Sequence, residues 1–206
     1  MPVGFRRRTA SNQNVFVAPD RATAVSLALN AGFGALGNVT IVGQIPVWPK
    51  LNRYINDNFL AGEPEYIWDS SISDGQSRGF AVVCESFQST NAIQLLTSLT
   101  VFTDNAHEAA IEIYDTGFPI PTLVDSISPY PFPLTDGNMD PVTGYTEVQP
   151  YNWQTIRYFS GFSSTLAINT SYRLVVSFRA VNYNVIPPFA ANPAGLAFVL
   201  DSYFIA

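Results

Sequence analysis

The chain has 206 residues, 47% apolar and 13% charged, with a formal net charge of −6. The apolar content and the 14% aromatics exclude a disordered chain. The 15 prolines and 13 glycines, spread without period, exclude collagen, coiled coils and helical repeats, and no unbroken apolar run is long enough for a spanning helix, so no membrane insertion is expected.

Residues 1–14 read as a polar, basic arm. Arg6, Arg7 and Arg8 cluster at its tip, whereas the rest of the chain holds 7 basic and 16 acidic side chains. A basic tip of this kind can dock on an acidic neighbour, including another copy of the chain. Three arginines without a basic stripe elsewhere make no nucleic-acid footprint. No apolar stretch of signal-peptide length follows them, so the expected location is an extracellular particle or a cell, spore or virion surface, reached without a conventional signal peptide. Val15, Phe16 and Val17 form a strand triplet, stopped by Pro19-Asp20.

Residues 22–36 fit two readings. Val25, Leu27 and Leu29 alternate like a strand, yet the alanines suit a helix. Val39–Val42 is a strand before Pro46 and Pro49, and residues 51–60 form a helical turn or a loop. Lys50 is the only lysine. Interface cores are depleted of lysine, so this bias favours subunits that bury broad surfaces.

From residue 65 the pattern is β. Strands are expected at 66–68, 79–87, 94–103, 109–114, 122–127, 153–159, 172–180 and 196–204, with a long Pro/Gly/Asp loop at 128–150. Tyr172, Leu174, Val176 and Phe178 alternate with Arg173, Val175, Ser177 and Arg179, giving one apolar and one mixed face. Leu196, Phe198 and Leu200 repeat this pattern. Phe80, Val82, Leu99, Val101, Ile111, Ile113, Leu174, Val176, Phe198 and Leu200 are the expected core. Short strands and turn-rich spacers predict an all-β, antiparallel jelly-roll sandwich over 65–206, preceded by an N-terminal extension over 1–64.

Several motifs mark this class further. They are Tyr66-Ile-Trp-Asp69, Leu99-Thr-Val-Phe-Thr-Asp-Asn105, Ile111-Glu-Ile-Tyr-Asp-Thr-Gly117, Tyr172-Arg-Leu-Val-Val-Ser-Phe178 and Asn192-Pro-Ala-Gly-Leu196. Together they resemble the galactose-binding-like jelly rolls of bacterial surface proteins and glycoside hydrolases. The resemblance covers residues 65–206. It implies the fold more strongly than it implies sugar binding, because Asp115-Thr-Gly117 and Ile168-Asn-Thr170 depart from the family's turns.

Asp136, Asn138, Asp140 and Glu147 carry oxygen donors at positions 1, 3, 5 and 12 of a loop, the spacing of a calcium site. Pro141 replaces the glycine such a loop needs for its turn, so a plain surface turn is the favoured reading and no cofactor is otherwise expected. His107, between Asp104-Asn105 and Glu108, reads as part of a polar hairpin loop. Cys84 reads as a core thiol. No nucleophile elbow, phosphate loop or histidine pair is present, so no enzyme is expected. Trp48, Trp68 and Trp153 offer either a sugar-stacking platform or core packing, the latter preferred. The leading expectation is a structural subunit that self-assembles into a fibre, appendage, surface layer or virus particle. Its arm, through Arg6, Arg7, Arg8, Val15, Phe16 and Val17, adds a strand to a neighbouring copy. The alternative is a carbohydrate-binding module with a glycan partner.

Overall fold

A computed structural model describes residues 3–51, 63–128, 134–136 (backbone), 152–183 and 192–205. Two six-stranded antiparallel sheets pack face to face. The first joins β10 (Arg157–Phe162), β6 (Gln94–Asp104) and β12 (Gly195–Ile205), with β1 (Val3–Ala10), β4 (Ile67–Trp68) and β3 (Thr40–Ile41) along the other edge of β12. The second joins β2 (Phe16–Ala18), β5 (Ser77–Ser89), β11 (Thr170–Val181) and β7 (Ala106–Asp115), with β8 (Thr122–Ser126) and β9 (Leu134–Asp136) on its far edge. Successive long strands switch sheets, which gives the sandwich its crossed connections.

Alternation explains the core. All ten residues expected to be buried are buried, with Phe80, Leu99, Ile111, Ile113, Leu174, Val176 and Phe198 fully enclosed; Phe178, outside that set, is enclosed as well. Phe178 and Phe198 meet between the sheets with ring centroids 4.8 Å apart. Trp68 is also fully enclosed, and its indole N–H donates to Gln76 Oε1 at 2.6 Å. Trp48 is buried and donates to Asp104 Oδ2 at 2.8 Å. These two indoles are therefore core groups with satisfied donors and supply no sugar platform. Trp153 lies half-buried in a 3₁₀ turn over Asn152–Gln154, and the strand expected from 153 begins only at Arg157.

The ambiguous stretch is a helix, α1 (Arg21–Ala31). Asp20 caps it by accepting from Thr23 N–H at 2.8 Å and from Thr23 Oγ1 at 2.9 Å. Gly32 ends it at φ +84°, a conformation open to glycine. Ala24, Val25, Ala28 and Leu29 pack on Ala81, Val83 and Val175. The middle of the mixed face of β11 is buried for this reason: α1 covers Val175, and Ser177 is equally enclosed, while Arg173 and Arg179 at its ends stay partly exposed.

Residues before 64 contribute strands to both sheets. β1 pairs with β12 from Val3↔Ile205 to Ala10↔Val199, with a bulge that places Arg6 between the paired residues Phe5 and Arg7. Val15 and Val17 are buried in the main core, and Phe16 pairs with Ala81.

Candidate functional site

Among the described residues, the outer face of the first sheet is covered at one end. There Trp48, Leu51, Tyr66 and the half-buried Trp153 close over Ala10, Phe102, Ala197 and Val199 as a second small core. The other end carries exposed rings. Register brings four distant residues into one row across it: Phe162↔Leu96, Leu96↔Tyr203 and Tyr203↔Phe5. Phe162 is 61% exposed and Phe5 43% exposed. The Phe5 and Tyr203 rings meet edge to face at 5.5 Å. At about 4.8 Å per strand the row spans about 14 Å.

A polar row runs beside it. Ser160↔Ser98, Ser98↔Asp201 and Asp201↔Arg8 are cross-strand partners one step along the same face. Arg8 holds Asp201 in a fork, Nε to Oδ1 and Nη2 to Oδ2, both at 2.7 Å. Beyond the polar row Tyr158, 62% exposed, presents another ring. Aromatic faces thus lie beside hydroxyls and a fixed ion pair on a rigid, twisted sheet.

The arm residues all have contacts within their own chain. Arg6 pairs with Glu85 and lies over the Phe204 ring, its guanidinium carbon 4.1 Å from the centroid. Burial pushes the Glu85 carboxyl up from its ordinary value, and Arg6 pulls against that shift. Arg7 stacks on Phe33 at 4.1 Å. Within the chain, residues 3–10 pair with β12, Phe16–Ala18 pair with β5, and the carboxylates that Arg6 and Arg8 meet are Glu85 of β5 and Asp201 of β12.

His107 is a correction. It lies within β7, is buried, and its Nδ1 is 2.9 Å from Thr103 Oγ1, with Phe178 against its ring. The strand begins three residues earlier than the alternation suggests, which draws the imidazole inside. Cys84 is buried and its thiol is pushed up to about 12 by desolvation. The sole cysteine and the sole histidine are therefore both withdrawn from solvent. Of the calcium candidates, Asp136 contributes backbone pairing to His107 in β9, while Asn138, Asp140 and Glu147 lie outside the described residues. Among the described residues no group of three or more metal-ligating side chains converges.

No family model matches this chain, and no curated protein matches it in sequence. Among the solved structures similar to it are two that cover nearly the whole chain. One is the carbohydrate-binding module TmCBM61 in complex with β-1,4-galactotriose, 10% identical at a TM-score of 0.36, covering 95% of this chain and 90% of that one. The other is the K2 cleaved adhesin domain of Lys-gingipain, 14% identical at a TM-score of 0.32, covering 97% and 98%. At these TM-scores the likeness adds nothing to the antiparallel sandwich already seen in the two sheets.

Proposed function

We propose that the chain is a non-catalytic glycan-binding module that works at an extracellular surface, with the ring-bearing end of the first sheet as its binding face. The observation that carries this is the pairing of the two rows. Phe162, Tyr203 and Phe5 present aromatic rings whose negative faces attract the polarised C–H bonds of a sugar ring. Ser160, Ser98 and the Arg8–Asp201 fork stand one step away, where sugar hydroxyls need partners. An exposed aromatic patch rimmed by polar groups marks an interaction surface, and an open sheet face suits an extended polysaccharide better than a deep pocket would. Affinity electrophoresis of the full chain against a panel of soluble polysaccharides tests the reading. At least one polysaccharide retards the protein, and Phe162→Ala abolishes the retardation with an unchanged melting curve. Retardation by none of the panel, or retardation that survives both Phe162→Ala and Tyr203→Ala, overturns it.

Self-assembly through the arm stands as a second reading, favoured by one observation. β1 is a terminal edge strand held by main-chain pairing and by the Arg6–Glu85 and Arg8–Asp201 pairs. All of these contacts can also be made between two copies that exchange β1. Size-exclusion over a concentration series tests it: exchange gives a dimer or larger species that dissociates slowly on dilution, and a single monomer peak throughout excludes it.

A further inference from the structure

A cavity of about 280 Å³ opens on the seam between the sheets, beside β1 and β5 and under the turn that follows α1. It lies just under the range of about 300–1,000 Å³ that holds drug-sized ligands, so it has room for one sugar ring and not an oligosaccharide. Three features define its chemistry.

The first is charge. The net charge of the chain is −6, yet among the described residues the cavity is lined by Arg7 and Arg8 and by no carboxylate, Glu85 lying within electrostatic reach of Arg7 but outside the lining. Arg8 is held by Asp201, and Glu85 on the same seam is held by Arg6. Arg21, Arg78 and Arg179 likewise face Glu112, Asp69 and Glu108. Arg7 makes no ion pair among the described residues. Its guanidinium is instead fixed over the Phe33 ring, which leaves its N–H edges available.

The second feature is the turn that carries Phe33. Gly32 and Gly34 take φ +84° and +79° on either side of it, and that reversal sets the ring against Arg7. The third is a pair of asparagines in the lining. Asn12 Oδ1 accepts from the Asn14 backbone N–H at 2.8 Å, which fixes the Asn12 side chain. The side-chain NH2 groups of Asn12 and Asn14 make no hydrogen bond among the described residues. A planar cation, an aromatic face and amide donors around one ring-sized space suit a carboxylate on a sugar.

The geometry points to the seam cavity as a site for a uronate, a sugar ring whose carboxylate is held by Arg7, whose C–H face meets Phe33 and whose hydroxyls meet Asn12 and Asn14. The inference takes its ligand class from the glycan reading above but not its location, since the aromatic rows lie on another face. Bidentate arginine–carboxylate contact is among the stronger hydrogen-bonded pairs and is sensitive to geometry.

Isothermal titration of the full chain with free glucuronate and galacturonate, against glucose, galactose and acetate, tests it. One uronate binds, its neutral sugar and acetate bind at least about tenfold more weakly, and the uronate affinity falls as salt rises from 0.1 to 1 M. Arg7→Leu weakens uronate binding at least about tenfold, Arg7→Lys restores only part of it, and both keep the parental melting curve. Phe162→Ala leaves uronate binding intact, which separates this site from the sheet face even if the polysaccharide reading fails. Binding of neither uronate, equal binding of neutral sugar and uronate, equal binding of acetate, or an Arg7→Leu variant with full affinity overturns the inference. A polyuronate arm beside the free sugar then tells whether the carboxylate is read on a monosaccharide or at a chain end.

Discussion

Gly37 is the position where a single methyl group does most damage. A Cβ there would lie 1.8 Å from Val15 O and 2.3 Å from Val15 C, both backbone atoms that no rotamer change can move. Relief requires the 36–38 segment to back away from β2. Four hydrogen bonds hold it there: Gly37 N–H to Gln13 O at 2.9 Å, Asn38 N–H to Val15 O at 3.2 Å, Val17 N–H to Asn38 Oδ1 at 2.7 Å, and Asn38 Nδ2 to Val17 O at 3.0 Å. The last two let one side chain stand in for a neighbouring strand. At about 1 kcal/mol each, losing all four costs about 4 kcal/mol. For a chain of this size about 2–4 °C accompanies each kcal/mol, so Gly37→Ala should melt about 8–16 °C below the parent. Asn38→Ala keeps the two main-chain bonds and should lose about half as much. Gly4→Ala has open space around its Cβ and should stay within about 0.5 kcal/mol of the parent. Thermal unfolding followed by circular dichroism reads all three. A Gly37→Ala protein melting within 2 °C of the parent would show that the segment is not held as described, and the reasoning fails.

Three further outcomes are expected. Phe162→Ala should cost about 1.4 kcal/mol or more of polysaccharide affinity, about tenfold, with no loss of stability because the ring is 61% exposed; a frontal-affinity measurement reads it. Cys84 should react with a thiol reagent only on unfolding. Its folded thiol titrates near 12 against an ordinary 9.0, so the unfolded chain loses its proton first and stability should fall as pH rises above 9. Glu85 behaves alike at lower pH. Its folded carboxyl is raised above the ordinary 4.5, so the folded state holds the proton longer, the contribution of Glu85 to stability declines as pH climbs above 4.5, and Glu85→Gln should remove that part of the pH dependence in denaturant melts.

The long strands were legible because one face of each is buried and its apolar residues recur with period two, as at Leu174, Val176 and Phe178. α1 was ambiguous for a physical reason. Val25 and Leu29 face the sheet on one helical stripe, but Leu27 between them is exposed and completes a false alternation. Residues 1–14 read as a polar, basic docking arm and not as a strand of the sandwich, because Arg6, Arg7 and Arg8 break any apolar alternation in β1. Their partners are 79 and 193 residues away for Arg6 and Arg8, and no local pattern reports that distance. Both proposed sites share this property. Phe5, Leu96, Phe162 and Tyr203 join only through strand register, and Arg7 meets Phe33 only because two glycines turn the chain back. The aromatic signal read from tryptophan pointed inward, since an indole with a buried N–H partner such as Asp104 or Gln76 is well placed in a core.

The pairing of Val3 with Ile205 fixes how the module responds to force. The first residues of β1 and the last of β12 lie side by side, so tension applied through those two ends pulls across the ladder and not along it. Main-chain bonds then bear load one at a time, beginning at Val3 and running toward Ala10, and each gives at a low load. The Arg6–Glu85 and Arg8–Asp201 pairs interrupt this peeling midway and set the force at which it continues. Between them Arg7 leaves with the strand, and the seam cavity loses a wall and its guanidinium together. A ligand at the proposed seam site would then be released by pulling before the sandwich itself opens, its lifetime limited by mechanical load on β1 as well as by affinity.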